Sequence, residues 1–314
     1  MSWIKQQWFL LALAVIVLIG FSCCQSLAFL ANYQTLRSCI VICVLFLMAL
    51  PLQLSAFIKT IRRPTAALLA CLINLGVGPL AAWPLLSLLG PELGGGLAIA
   101  LAMPCTLASA AVWTRRAGGN DIVALMVTVI TNLSCVVVTP LWLWILTSQQ
   151  TNSFSLPEQI QKLSLLVLFP IILAQIVRSW SVVGEWATLN KPRLSFAAQV
   201  GLLYIVLLGT IGSAASWEQG GSSSVGQWAI LLFAIAGIHL GLFFLGFAIA
   251  SWIGLTTQDQ RAVAISGSQK TLMIGAEVGL SLGLSVLPLL IYHLFQLFID
   301  TLLADWMRRK FDGS

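Results

Sequence analysis

Charge is what this sequence has least of. Aspartate, glutamate, lysine and arginine together make up 8% of the 314 residues, against 59% apolar. No soluble domain spreads so few charges over so much apolar chain. Histidine is nearly absent: His239 and His293 are the only two, and their distance in sequence excludes a local zinc motif. The seven cysteines, Cys23, Cys24, Cys39, Cys43, Cys71, Cys105 and Cys135, all lie in or beside apolar runs of the first half. An odd number without paired loop spacing argues against a disulfide framework. The apolar runs hold no H-E-x-x-H, no G-x-S-x-G and no aspartate pair, so the side-chain sets an enzyme needs are missing. A channel is poorly supported as well, because no ring of one charge and no repeated filter sequence occurs.

What is present is apolar sequence in long runs. Mean hydropathy is +0.97, and stretches of about 20 apolar residues read as membrane-spanning helices. Ten are expected. The first covers 8–27. Lys5 ahead of an apolar run imitates a signal peptide, but no clean small-x-small cleavage site follows and many more spans do. Gly20-Phe21-Ser22-Cys23 carries only a trace of a lipidation site. The second span covers 38–57 and ends in the basic turn Lys59-Thr60-Ile61-Arg62-Arg63. Pro64 opens the third, to 89, because proline suits a helix's first turn. Leu89-Gly90-Pro91-Glu92 is a turn, and Gly94-Gly95-Gly96 starts the fourth. That span is interrupted at Pro104-Cys105-Thr106, where proline removes a donor. It ends at Arg115-Arg116, with Gly118-Gly119 as the stop. Asn120 caps the fifth, to 147. After a polar boundary come the sixth span (160–177), a short loop (179–193), the seventh (194–215), the turn Gly220-Gly221-Ser222-Ser223-Ser224 and the eighth (226–253). The ninth holds the polar hexapeptide Ser266-Gly267-Ser268-Gln269-Lys270-Thr271, and the tenth covers 286–307. The chain thus divides into a first repeat (1–147), a connecting loop (148–159) and a second repeat (160–314).

Charge placement orients these spans. With the N-terminus inside, thirteen of the sixteen lysines and arginines fall in cytoplasmic segments. Only Arg37 and Lys162 fall outside, and Lys270 falls within the membrane. Such asymmetry places both termini in the cytoplasm and explains the net charge of +6 without nucleic acid; the plasma (inner) membrane is the expected location.

The halves echo each other. Ile73-Asn74-Leu75-Gly76 recurs as Ile238-His239-Leu240-Gly241, 165 residues on, and the two interrupted spans lie a similar distance apart. Five spans per half is an odd number, so the second repeat is inverted. Interrupted helices at matching positions of inverted halves point to a transporter's binding site. Counted from Arg261, Lys270 sits roughly 13 Å along its span at about 1.5 Å per residue, near the middle of a slab about 30 Å thick. A charge there is a functional-site candidate by default. The competing reading is a lysine at the cytoplasmic end of a shorter helix, although Asp259 and Arg261 already mark that end.

The candidate site comprises Asn74, Thr106, Ser109, Thr128, Asn132, Ser266, Ser268, Gln269, Lys270, Thr271, His293 and Gln296. Against it stands the reading that membrane serines and threonines bond their own helix, and that Asn74 and Asn132 are packing glue. His239 reads as an inter-helix hydrogen bond. Glu277 lines a vestibule or lies near the outer interface, and Asp300 lies near the inner one.

The run Met103-Pro104-Cys105-Thr106-Leu107-Ala108-Ser109-Ala110, through Gly119-Asn120 to Thr139-Pro140, resembles spans four and five of the bile acid:sodium symporter family. Ser268-Gln269-Lys270-Thr271, with Pro288-Leu289-Leu290-Ile291-Tyr292-His293 and Gln296, resembles its sodium/bile acid cotransporter 7 (SBF-like) branch. The likeness extends over essentially the whole chain. It implies a core domain of helices 3–5 and 8–10 with broken helices 4 and 9 crossing, and a panel domain of helices 1, 2, 6 and 7. The substrate cavity lies between the two. Sodium-coupled members hold two cations. Carried over by motif, Asn74 stands in place of a helix-three glutamine, Ser109 matches a serine, Thr128 a threonine and Gln269 a glutamine. Ala110 replaces an asparagine, Ala124 a serine, and no acid stands where helix nine has a glutamate. These departures weaken a sodium site at Asn74, Ser109, Thr128 and Gln269, and Lys270 falls near it. Sodium or proton coupling stays open, and no resident cofactor is expected.

Residues and resemblance together lead to an all-α polytopic membrane protein of ten helices in two inverted five-helix repeats. Surrounded by lipid bilayer and without a nucleic-acid partner, it works as a secondary-active transporter of a small organic anion by alternating access. The second reading is a non-transporting membrane regulator of ion homeostasis, since the resemblance links eukaryotic members to calcium.

Overall fold

The computed structural model describes residues 2–52, 64–107, 109–147, 155–218 and 223–312, and every regular element among them is helical. The basic turn at 59–63, most of the connecting loop, and Gly220, Gly221 and Ser222 lie outside the described residues. Among the described residues, six helices are long and apolar enough to cross a membrane, or seven if the bent pair Leu11–Ser22 and Cys24–Leu30 is one span.

Helix α1 (Ser2–Ser22) stops short of its expected end, and the chain turns by 95° into the short α2 (Cys24–Leu27). Next comes α3 (Gln34–Ala49). Helix α4 (Thr65–Leu72) passes through one π-helical turn (Ile73–Val77) into α5 (Gly78–Ala102). The tract Thr65–Ala102 has 38 residues. Straight, it would be about 57 Å long at about 1.5 Å per residue, nearly twice the hydrocarbon slab. It is not straight: Gly90 adopts φ 72, ψ 176, a conformation open to glycine. The expected four-residue turn is therefore a break at one residue.

Helix α6 (Ser109–Arg116) ends at Gly118 (φ 71). The Asn120 side chain then accepts the N–H groups of Ile122 and Val123, capping α7 (Asp121–Thr147) as its type predicts. Buried Arg261 donates to the carbonyls of Ala117 and Gly118, closing the end of α6. Helix α8 (Leu156–Leu163) continues through a π turn into α9 (Phe169–Arg178). The expected loop over 179–193 is instead mostly helix, α10 (Ser181–Leu189). Its exposed Val182, Trp186 and Leu189 stand at i, i+4 and i+7, which marks an amphipathic helix too short for a span count to notice.

Four helices follow: α11 (Lys191–Glu218), α12 (Val225–Trp252) behind a Ser224–Gln227 capping box, α13 (Thr257–Ser268) and α14 (Leu272–Leu282), with Gly283 at φ 65 as its stop. Then α15 (Leu287–Asp312) packs on α5. Gly96 makes that approach possible, because a Cβ there would lie 2.6 Å from both the Ser285 carbonyl and the Pro288 ring. Gly96→Ala is expected to cost about 1–3 kcal/mol by overpacking and to lower the thermal unfolding midpoint of the purified protein. An unchanged midpoint would mean the two helices do not approach so closely.

Candidate functional site

Two segments leave the helical ladder at the centre of the molecule. Met103–Leu107 joins α5 to α6, and Gln269–Thr271 joins α13 to α14. They cross, and the Thr271 N–H donates to the Pro104 carbonyl at 2.9 Å. Non-helical backbone at membrane depth is tolerated only where its polar groups find partners, and here the accounting is close to complete. In the first segment, Lys270 Nζ donates to Leu101 O (2.7 Å) and Met103 O (3.1 Å). Thr139 donates to Ala102 O, Asn132 to Cys105 O and Thr128 to Thr106 O. In the second, Asn74 Nδ2 reaches the carbonyls of Ser266, Gly267 and, most closely, Gln269 (2.7 Å). Tyr292 donates to Ser268 O and Gln296 to Lys270 O.

The two crossings are held in the same way at positions 165 apart. Cys105 gives its N–H to Thr131 Oγ1 and its carbonyl to Asn132. Lys270, its counterpart, gives its N–H to Gln296 Oε1 and its carbonyl to Gln296 Nε2, both at 2.9 Å. Gln296 is itself the counterpart of Thr131.

Lys270 has no exposed surface. Its third acceptor is the carbonyl of Asn74, at 2.5 Å. That oxygen is free for a local reason: the π turn shifts the ladder by one residue, so its partner would be Pro79, which has no N–H. Gly78 leaves room, since a Cβ there would lie 3.0 Å from Nζ. Three carbonyl acceptors around one amine require three N–H groups, which only the ammonium form has. A single fixed cation is therefore wrapped by backbone oxygen at the C-terminal end of a broken helix, where the helix dipole favours it.

Beside the crossing lies a cavity of about 130 Å³. Its walls are apolar (Phe9, Val44, Met48, Leu202) except where Thr106, Ser109, Ser195, Gln199, Thr271 and His293 enter it. Gln269 Oε1 accepts from Thr106 (2.6 Å) and Ser109 (3.0 Å), fixing the two hydroxyls of the first half. The Thr271 hydroxyl has no partner among the described residues, and the first-turn N–H groups of α14 behind it have no helical acceptor. His293 is tied by Gln296. Because a backbone N–H only donates and a carbonyl only accepts, the Gln296 amide has one orientation. Its remaining N–H is aimed at His293 Nδ1, 2.9 Å away. On that contact the neutral ring carries its proton on Nε2 and can donate it, and the Lys270 backbone is a further hydrogen-bond partner of the ring.

The structure brings Asn74, Thr106, Ser109, Gln269, Lys270, Thr271, His293 and Gln296 into this one network. Thr128 and Asn132 belong to it as carbonyl partners of the crossing. Ser266 and Ser268 do not face the cavity: they remain helical, and their hydroxyls bond Ala262, Ala264 and Ile265 of their own helix. Sequence reasoning missed Thr139 and the Gly78-Pro79 pair, whose signal was a glycine and a proline in mid-span. It also missed the partners of both acids. Asp300 is fully buried, with its carboxylate 2.9 Å from His239 Nε2 and 2.7 Å from Gln269 Nε2. Glu277 is 1% exposed and pairs with Arg37 at 2.8 Å.

Comparison with known proteins agrees with the motifs. An uncharacterized protein of Pseudomonas aeruginosa is 31% identical over 75% of this chain and 72% of its own length. An uncharacterized sodium-dependent transporter, YocS of Bacillus subtilis, is 26% identical over 94% and 89%. Sodium/bile acid cotransporter 7-B of Xenopus laevis is 27% identical over 68% and 66%. The profile of the SBF-like CPA transporter family (DUF4137) matches residues 7–309. The chain is an integral membrane protein and belongs to that transporter family, within the bile acid:sodium symporter superfamily.

Proposed function

We propose that the protein is a secondary-active carrier of a small organic anion. It works by alternating access between a panel (α1, α3, α8–α9, α11) and a core that contains the crossing. In this reading the chain forms ten spans in two inverted five-helix repeats, with Lys270 supplying the charge that a coupling cation supplies elsewhere. The observation that carries it is the paired clamping of Cys105 and Lys270, 165 residues apart. An inverted repeat is the simplest source of such pairing. The donor set beside the cavity supports the anion. His293 Nε2–H, the Thr271 hydroxyl and the first-turn N–H groups of α14 can all donate, the helix N-terminus favours negative charge, and among the described residues no acid lines the wall. The apolar remainder suits a hydrocarbon body. A monocarboxylate with an apolar tail is therefore the fitting class, and the Phe9 and Ser195 end of the cavity is its cytoplasmic mouth.

Thermal unfolding of the purified protein against small carboxylates and sulfonates tests this, since a ligand that binds only the folded state raises the midpoint. At least one carboxylate should raise it. His293→Ala should weaken that ligand about tenfold, the worth of one donor to a charged group at about 1.4 kcal/mol. If no organic anion shifts the midpoint, and none accumulates in proteoliposomes, the carrier reading fails and the regulator takes its place.

A further inference from the structure

The cavity occupies one end of a seam; the other end is closed by charge. Cavity-lining residues come from the start of α11 (Ser195, Gln199) and the later half of α3 (Val44, Met48). At the opposite end of the same helices, Ser213 of α11 accepts the Val286 N–H at 3.3 Å and stands 3.4 Å from the Ser285 hydroxyl. Arg37, at the start of α3, meets Glu277 there. Its Nε lies 2.8 Å from Glu277 Oε2, and its Nη2 3.4 Å from Oε1. Lys162 of α8 approaches the same carboxylate at 3.6 Å. Glu277 lies on α14, about 7.5 Å along the axis from the helix start at the crossing, at about 1.5 Å per residue. Both cations come from the panel, and the acid comes from the core. No other ion pair between described residues joins those two groups of helices.

We infer that Arg37, Lys162 and Glu277 form a latch, which holds the seam shut on the side away from the cavity and must part before that side opens. Charge makes the latch two-sided. Buried beside Arg37, the Glu277 carboxylate is well placed in the closed seam. Once separated, all three groups regain water at the outer mouth, so the open form is not left with a buried unpaired charge. Two panel cations face one core carboxylate, so parting also leaves an excess positive charge where an anion enters. The inference rests on the alternating-access reading proposed above, but its test needs no substrate.

The test is thiol accessibility in detergent, where a water-soluble maleimide reaches both ends. Ser285→Cys reports the latched end and Gln199→Cys the cavity end, each read against protein without the added cysteine. Glu277→Gln should raise labelling at 285 at least tenfold and lower it at 199, because the two ends open in antiphase. Arg37→Gln should do the same. The double variant should change the rates no more than the larger single one, as partners in one interaction do. A rise at both reporters would mean loosened packing rather than a latch. That outcome, no change at either, or multiplying effects in the double variant would each overturn the inference. Failure of every organic anion to bind would overturn the transport reading and leave these rates as they are.

Discussion

Lys270→Gln should create a sodium dependence that the wild-type protein lacks. In the wild type, the ammonium occupies the carbonyls of Asn74, Leu101 and Met103, and the thermal midpoint should be the same in sodium as in potassium or choline at equal ionic strength. A glutamine amide has two N–H groups and no charge. It satisfies two of the three carbonyls and leaves oxygen facing a vacancy, so the variant folds with reduced stability. Sodium entering that vacancy at ten times its dissociation constant would restore about 1.4 kcal/mol. Lys270→Met supplies no donor and leaves three buried carbonyls bare. At about 1–3 kcal/mol for each unpaired group, it should be among the most destabilising single changes in the chain. Sodium-specific stabilisation of the wild type would sink the idea that Lys270 replaces a cation. So would a Lys270→Gln protein with the wild-type midpoint and no ion response.

Much of this arrangement was legible in the sequence because membranes constrain backbone so strongly. Uninterrupted apolar runs announce spans, and Pro104 and the hexapeptide around Lys270 announce where a span breaks. The 165-residue echo at Asn74 and His239 suggested a pairing of the halves, and Cys105–Lys270 and Thr131–Gln296, at the same spacing, take matching hydrogen-bond roles. What the sequence did not carry is direction. Ser266 and Ser268 stand next to Gln269, yet α13 continues through them, so their hydroxyls return to their own helix. Nothing in composition says at which residue the ladder ends. Distance in sequence also hid the acids. Asp300 and Glu277 each lie in apolar surroundings, and burial is affordable only because partners arrive from α12 and α3, 61 and 240 residues away. The helix over Ser181–Leu189 was lost for the opposite reason: its apolar face is short and its signal is periodicity, not hydropathy.

The second large effect is expected at the buried His239–Asp300 pair. Both side chains have no exposed surface, and Asp300 divides its carboxylate between His239 Nε2 and Gln269 Nε2. His239→Leu strips the carboxylate of one of two donors inside the protein. Breaking a buried pair from one side costs about 3–5 kcal/mol. Asp300→Leu leaves the His239 and Gln269 donors unpaired, at about 1–3 kcal/mol each. Removing both should cost clearly less than the two singles together, because an apolar pair strands only the Gln269 amide. Thermal unfolding of the four proteins should show a coupling of at least about 2 kcal/mol, within the range for residues in direct contact. Additive singles would deny the pair any structural link. Asp300→Asn separates this structural role from an effect on the cavity. The introduced amide can accept from His239 only by turning its N–H₂ toward Gln269, which must then flip and present N–H₂ to Thr106 and Ser109. Those two hydroxyls currently donate to Gln269 Oε1, and both line the cavity. Asp300→Asn should therefore remain folded and yet alter anion affinity, while a variant at the distant Gly96 contact changes stability alone. Unchanged affinity in Asp300→Asn would show that the buried pair is only a brace between α12 and α15.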